Sequence, residues 1–201
     1  VATSFPQYDF AKQIAGDKAE VTLLLPPGAE SHTYEPTPKD IVKIDNCDMF
    51  IYVGGESDEW INSILKSVDT QDKTIIKMID CVTTVNEETV EGMENGEENP
   101  DEEGEEIDEQ VWTSPVNAIK ISDEITKKLC ERDSENTAYY TTNFESYKAD
   151  LTKLDEKFKN IVSDAKRKTI VFGDRFPFRY LADEYGLTYY AAFPGCSSET
   201  E

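Results

Sequence analysis

Apolar residues along this chain follow two rhythms. Short continuous runs, VTLLL (21–25), DMFIYV (48–53) and KTIIKMI (73–79), are rich in Val, Ile and aromatic residues. They are too short for helices and predict strands. Residues 5–14, 38–45 and 58–65 place their apolar side chains at helical spacing instead. Continuous apolar strands separated by amphipathic helices predict an α/β fold with a parallel sheet covered on both faces. The helix starts carry their own marks. Thr37 precedes Pro38 with Asp40 in the first turn, Ser57 precedes Asp58 and Glu59, and Ser114 precedes Pro115; each Ser or Thr is expected to cap.

Further on, Tyr140, Phe144, Tyr147, Leu151, Leu154, Phe158 and Ile161 recur every three or four positions. This seam predicts one long helix over residues 134–165, roughly 45 Å at the standard rise. No Gly or Pro interrupts it, so it reads as a rigid strut. Then come KTIVFGD, FPFRYLADEYG closed by Gly186, and LTYYAAF, the pattern of one β-α-β unit. Alone, such a unit is too small to cover both faces of its strands, so a second domain is expected to be only partly present. The expected division is 1–132 as a first lobe, 133–167 as a connecting helix and 168–201 as the start of a second lobe. The opening VATSF reads as the inside of a strand, so Val1 is expected to be a processing boundary or a cut end rather than a natural start.

Residues 86–109 break both rhythms, with 13 acidic residues and no basic one. The run buries little apolar surface and is expected to be a mobile insertion, either a solvated loop or a weak collector of cations. It holds 13 of the chain's 42 acidic residues, so the net charge of −22 overstates the acidity of the folded part. That charge still argues against nucleic acid and anionic membrane as partners, because both need clustered Lys and Arg. No run of about 18 apolar residues is present to span a bilayer as a helix. Four cysteines, Cys47, Cys81, Cys130 and Cys196, form no CxxC pair; their wide spacing permits one or two disulfides without requiring any.

Among motifs that carry chemistry, GxGxxG after a strand, GxxxxGK[ST] and GxSxG are all absent, which leaves dinucleotide, phosphate-loop and hydrolase readings without support. The two glycines of YVGGESDEW read as a tight turn into a helix. The chain has one histidine, His32, in a loop after a strand, where open parallel sheets place their ligands. A lone histidine has many structural uses, and the order of the segments around it adds what the residue alone does not.

That order resembles the zinc and manganese solute-binding lipoproteins of bacterial metal ABC importers. The resemblance rests on YDFAKQIAGD (8–17), PPGAESHTYEPTP (26–38), the FIYVGG strand and turn, a charged insertion followed by DEQVWTSP (108–115), the long helix, and FPFRYLADEYGL (176–187). It covers essentially the whole chain. It implies a two-lobed metal-receptor fold, with a parallel sheet and flanking helices in each lobe, joined by one rigid helix. The function it implies is an extracytoplasmic protein, at the cell surface or in the periplasm and lipid-anchored through a cysteine ahead of Val1. Such a protein captures zinc or manganese as cargo and passes it to the membrane permease of the importer, as a monomer and not as an enzyme.

The ligand set implied is histidines plus a Glu or Asp. His32 matches the first ligand histidine, and Gln110 holds the position of the second. A gapless match puts Arg175 on the third, whereas one inserted residue puts Asp174 there; Arg is always charged and cannot ligate a cation, so Asp174 is preferred. The fourth, an acidic residue far along the second lobe, would lie beyond Glu201. These departures leave the metal open, since zinc prefers His and Cys while an oxygen-rich set suits manganese. Gln110 stands as a weak ligand, an outer hydrogen-bond donor or the mark of a lost site. The alternative function is a surface adhesion or interaction protein on the same scaffold with a degenerate metal site.

Overall fold

A computed structural model describes residues 1–26, 28–29, 34–93 and 107–195. Two compact units emerge. The first comprises Val1–Val82 and Ile119–Ala149, the second Thr83–Ala118 and Asp150–Glu201.

In the first unit, strands β1 (Met49–Tyr52) and β2 (Thr74–Lys77) pair in parallel, with Ile51 opposite Ile76. Ala2 bridges Ile51 on one side and Leu23 on the other, both in parallel. The bonds are those of a ladder: Ile51 N–H to Val1 O at 2.9 Å, Ala2 N–H to Thr22 O at 2.8 Å and Leu24 N–H to Ala2 O at 2.9 Å. The expected strand at 21–25 is therefore present only as a brief bridge. Parallel pairing alternates the side chains of β1. Phe50 and Tyr52 enter a cluster with Leu24, Leu25, Ile44, Ile61 and Ile64, while Ile51, only 2% exposed, is buried on the opposite side of the strand.

The helices of this unit begin largely where the sequence marks them. Helix α1 is Phe5–Ala15, α2 Pro38–Asn46 and α3 Glu59–Leu65. Thr37 forms a full capping box with Asp40. Ser57 does not cap α3; that position belongs to Asp58, after a short 3₁₀ turn at Glu56–Asp58. The Asp58 carboxylate instead folds back onto the preceding glycine turn, accepting the N–H of Val53 and of Gly54 at 2.9 Å each. Gly54 and Gly55 have φ of 93° and 90°, the left-handed region that glycine enters without penalty.

Helix α4 is Pro115–Arg132 and α5 Thr137–Asp164, the latter preceded by a 3₁₀ turn at Ser134–Asn136. In the first unit the seam of α5 packs as its spacing predicts. Tyr140 and Phe144 are buried, and the Tyr147 ring lies 6.2 Å from that of Phe10. Asn143 Nδ2 donates to Ile14 O at 2.9 Å.

The second unit holds the expected β-α-β unit: β3 (Thr169–Arg175), α6 (Arg179–Tyr185) and β4 (Thr188–Phe193), with the strands parallel. Gly186 ends α6 in the left-handed conformation. Phe176, Ala182, Tyr189 and Ala191 form the core, with Ile170, Phe172 and Phe178 against it. The outer face carries Val171 and Tyr190, register partners that are 77% and 46% exposed. In this part of α5 the seam departs from its spacing: Leu154 and Ile161 are exposed, while Asp155 and Val162 are buried. Tyr185 accounts for this. Its hydroxyl donates to Asp155 Oδ1 at 3.0 Å and its ring lies 5.3 Å from that of Phe158, so the helix face that meets it includes a carboxylate.

The described ends of the acidic run make packing contacts in the second unit. Asn86 bridges Ile107, Arg179 Nη2 lies 3.2 Å from Glu88 Oε2, and Val90 and Met93 lie against the core. The rest of the run, 94–106, lies outside the described residues. Cys47, Cys81 and Cys130 are free thiols; Cys196 lies outside the described residues. No described helix is long and apolar enough to cross a membrane.

Candidate metal centre

His32 lies outside the described residues. The chain on either side of its loop is fixed. Leu25 N–H donates to Thr3 O at 2.9 Å and Ala29 N–H to Pro26 O at 3.0 Å. On the far side, Tyr34 Oη donates to Asp40 Oδ2 at 2.9 Å, and its ring meets that of Trp60 edge-on with centroids 5.4 Å apart.

Gln110 belongs to the second unit. It caps the 3₁₀ turn Val111–Thr113 just before Ser114, whose Oγ accepts Asn117 N–H at 3.3 Å and so caps α4 as its sequence predicts. The Gln110 backbone is fully engaged: its N–H donates to Asp108 Oδ1 at 2.8 Å, and its carbonyl accepts from Thr113 N–H at 3.0 Å and Thr113 Oγ1 at 2.8 Å. Its half-buried side chain makes no hydrogen bond among the described residues.

Asp174 lies near the end of β3, where the ladder is irregular. Phe172 pairs with Ala191 but Arg175 with Phe193, so β3 carries one extra residue, a bulge. Two consecutive residues, Gly173 and Asp174, are thereby exposed, and Arg175 returns to the half-buried face. Bulges re-aim side chains in this way. The Asp174 carboxylate accepts the N–H of Arg175 at 2.8 Å.

The two segments approach each other at Gly195. A Cβ placed there would lie 2.7 Å from Phe176 O and 3.6 Å from Asp108 Oδ2. Tyr180 Oη strengthens the junction by donating to Asp108 O at 2.7 Å and accepting Val85 N–H at 3.3 Å. Asp108 stands in the acidic run and at the head of DEQVWTSP, and sequence reasoning gives it no role at the site. It is 2% exposed, and burial raises its pKa to about 6 against the opposing pull of the Gln110 N–H. Among the described residues no three His, Cys, Asp or Glu side chains gather closely enough to hold a metal, and no hydrogen bond joins Gln110 to Asp174. Chemically, Gln110 offers a neutral amide oxygen and Asp174 a carboxylate, both hard donors.

Parallel strands connected through helices define an α/β fold. All of residues 1–201 match the family described as zinc-uptake complex component A, periplasmic, and the chain belongs to that family. It is 37% identical over 190 residues to the high-affinity zinc uptake system protein ZnuA of Bacillus subtilis, covering 93% of this chain and 58% of the relative. It is 36% identical over 203 residues to the zinc-binding lipoprotein AdcA of Streptococcus pneumoniae, covering 100% of this chain and 40% of the relative. The chain thus spans about half the length of these relatives. The crystal structure of the metal-dependent lipoprotein YcdH from Bacillus subtilis superposes with a TM-score of 0.80 at 32% identity, over 94% of this chain and 65% of that one.

Proposed function

We propose that this chain is part of an extracytoplasmic, lipid-anchored substrate-binding protein that captures a divalent transition metal and hands it to the permease of an ABC importer. The observation that carries the reading is the family match over every residue from 1 to 201. The names of the relatives, a zinc uptake protein and a zinc-binding lipoprotein, favour zinc as cargo. His32, Gln110 and Asp174 are the ligands this chain contributes. The half-buried Gln110 amide, held on a fixed backbone next to a capped helix, is a neutral oxygen donor where a softer nitrogen would suit zinc better. The protein works as a monomer, and the long helix α5 is the rigid connection between its lobes.

Titration of the full-length protein with Zn²⁺ and Mn²⁺ in competition with a chelator tests this. Replacing Gln110 by His is expected to raise zinc affinity, and replacing His32 by Ala to abolish binding. If neither variant changes zinc binding, the metal-site reading fails and the adhesion alternative takes its place.

A further inference from the structure

Helix α6 holds the segment that carries Gln110 at both of its ends. Tyr180 Oη donates to the carbonyl of Asp108 at 2.7 Å. One helical turn further along, Glu184 Oε2 accepts from Ser114 Oγ at 3.4 Å. Positions i and i+4 share one face of a helix. The 3₁₀ turn Val111–Thr113, between the two ties, packs against the same helix. Residues 108–114 therefore cross α6 as a strap. The grip at Tyr180 is the firmer one, since its bond is short and the residue is buried, whereas Glu184 is exposed. The Tyr180 hydroxyl also accepts Val85 N–H at 3.3 Å, and Val85 O accepts Asp108 N–H at 3.0 Å. One hydroxyl thus ties together the two segments that meet at the Asn86–Ile107 bridge.

From Asp108 the constraint passes to Gln110. Asp108 Oδ1 accepts Gln110 N–H at 2.8 Å, and the Gln110 carbonyl accepts Thr113 N–H at 3.0 Å and Thr113 Oγ1 at 2.8 Å. The Gln110 backbone cannot turn without breaking one of these bonds. Its half-buried side chain makes no hydrogen bond among the described residues, so the backbone alone sets where the amide starts from. The bulge that carries Asp174 lies in β3, the strand that leads into α6. The same strand and helix therefore support both oxygen donors of the second unit.

We infer that Tyr180 is a positioning residue for Gln110: its hydroxyl fixes Asp108 on α6, and through Asp108 the backbone from which the Gln110 amide reaches a bound metal. The inference rests on Gln110 being a ligand, as proposed above. Metal affinity depends on such outer contacts because a ligand held in place loses less freedom on binding.

Zinc affinity of the full-length protein is measured by chelator competition for wild type, Tyr180→Phe, Gln110→Ala and the double variant. Tyr180→Phe keeps the buried ring and removes only the hydroxyl. It is expected to weaken zinc binding about tenfold, the lower end of what lost outer contacts cost. In the Gln110→Ala background the same change is expected to cost less than about twofold, because the side chain it positions is gone; a double-mutant cycle separates coupled from independent effects in this way. Equal weakening in both backgrounds would make Tyr180 a structural residue only, and wild-type affinity of Tyr180→Phe would remove the role altogether. Either result overturns the inference while Gln110→Ala still reports a ligand. If Gln110→Ala itself binds zinc as wild type does, the ligand assignment fails first and the inference falls with it. Should Tyr180→Phe unfold at the assay temperature, Asp108 carries the test. Asp108→Asn keeps an acceptor for the Gln110 N–H and is expected to bind as wild type, whereas Asp108→Ala is expected to bind about tenfold more weakly; equal affinities of these two variants overturn the inference.

Discussion

Replacing Asp58 by Asn should stabilise this protein at neutral pH, although Asp58 holds the Gly54–Gly55 turn. The carboxylate is 5% exposed and accepts two backbone N–H groups through one oxygen, Oδ2. Burial raises its pKa from 3.8 to about 6, against the opposing effects of the Gly54 and Val53 N–H groups and the Lys77 charge. The folded chain therefore binds this proton more tightly than the unfolded chain. The stability it contributes is fully present below about pH 4 and is lost as pH rises through 6. A shift of about two units is worth about 3 kcal/mol, which is the cost of keeping the charge buried above pH 7. An asparagine oxygen can take both N–H groups and carries no charge. Urea unfolding followed by tryptophan fluorescence, from pH 4.5 to 8, should show the variant close to wild type at the acid end. It should become more stable by up to about 3 kcal/mol at the alkaline end. Taking the difference between the two proteins cancels Asp108, which shifts in the same direction, and Asp40, which shifts in the other. A difference that stays flat with pH, or a variant less stable at pH 8, would mean that Lys77 and the two N–H groups favour the charge at least as much as burial opposes it.

Gly54→Ala should destabilise by more than about 1 kcal/mol, because its φ is +93° and a Cβ would run into the Lys77 side chain and lie 3.0 Å from Ile79 Cδ1; thermal melting checks it, and an unchanged midpoint refutes the strained turn. Leu154→Glu and Ile161→Glu should each stay within about 0.5 kcal/mol of wild type, whereas Val162→Ala should cost about 1–2 kcal/mol, since only Val162 of the three is buried; the reverse order in urea midpoints would restore the seam drawn from spacing. Asp174→Asn should weaken zinc binding at least about tenfold in chelator competition without lowering the melting temperature, given its exposed side chain. Arg175→Ala should instead lower the melting temperature through lost packing of a half-buried stem; zinc affinity untouched by Asp174→Asn would remove that residue from the ligand set.

What the sequence made legible is what short-range chemistry decides. Thr37 and Ser114 cap as expected because each has an N–H two or three residues away to accept from and a proline in the first turn. Gly186 and the Gly54–Gly55 turn are readable for the same reason: only glycine enters that backbone region freely. Ser57 shows where this reasoning stops. Its position satisfies the capping rule, but Asp58 next to it has a stronger use, neutralising the two N–H groups that the glycine turn leaves pointing inward. The competing demand comes from a turn on the other side of the same segment, and no local pattern weighs the two.

The long helix fails for a related reason. A spacing of three and four says that one face is apolar, not what that face meets. From Tyr140 to Tyr147 it meets aliphatic and aromatic surface, and the spacing holds. From Leu154 onward the partner is Tyr185, which brings an aromatic ring and a hydroxyl together. The ring takes Phe158. The hydroxyl, buried with it, requires an acceptor, since an unpaired buried hydroxyl costs about 1–3 kcal/mol. Asp155 supplies one, and Lys159 Nζ at 2.7 Å from its other oxygen balances the charge. Accepting Asp155 turns the buried face by one residue, and Leu154 and Ile161 pass to solvent in consequence. The acidic run follows the same logic on a smaller scale. Its composition forbids a core of its own, yet Val90 and Met93 still find one that the β-α-β unit provides, so its first residues are ordered by a surface that lies elsewhere in the chain.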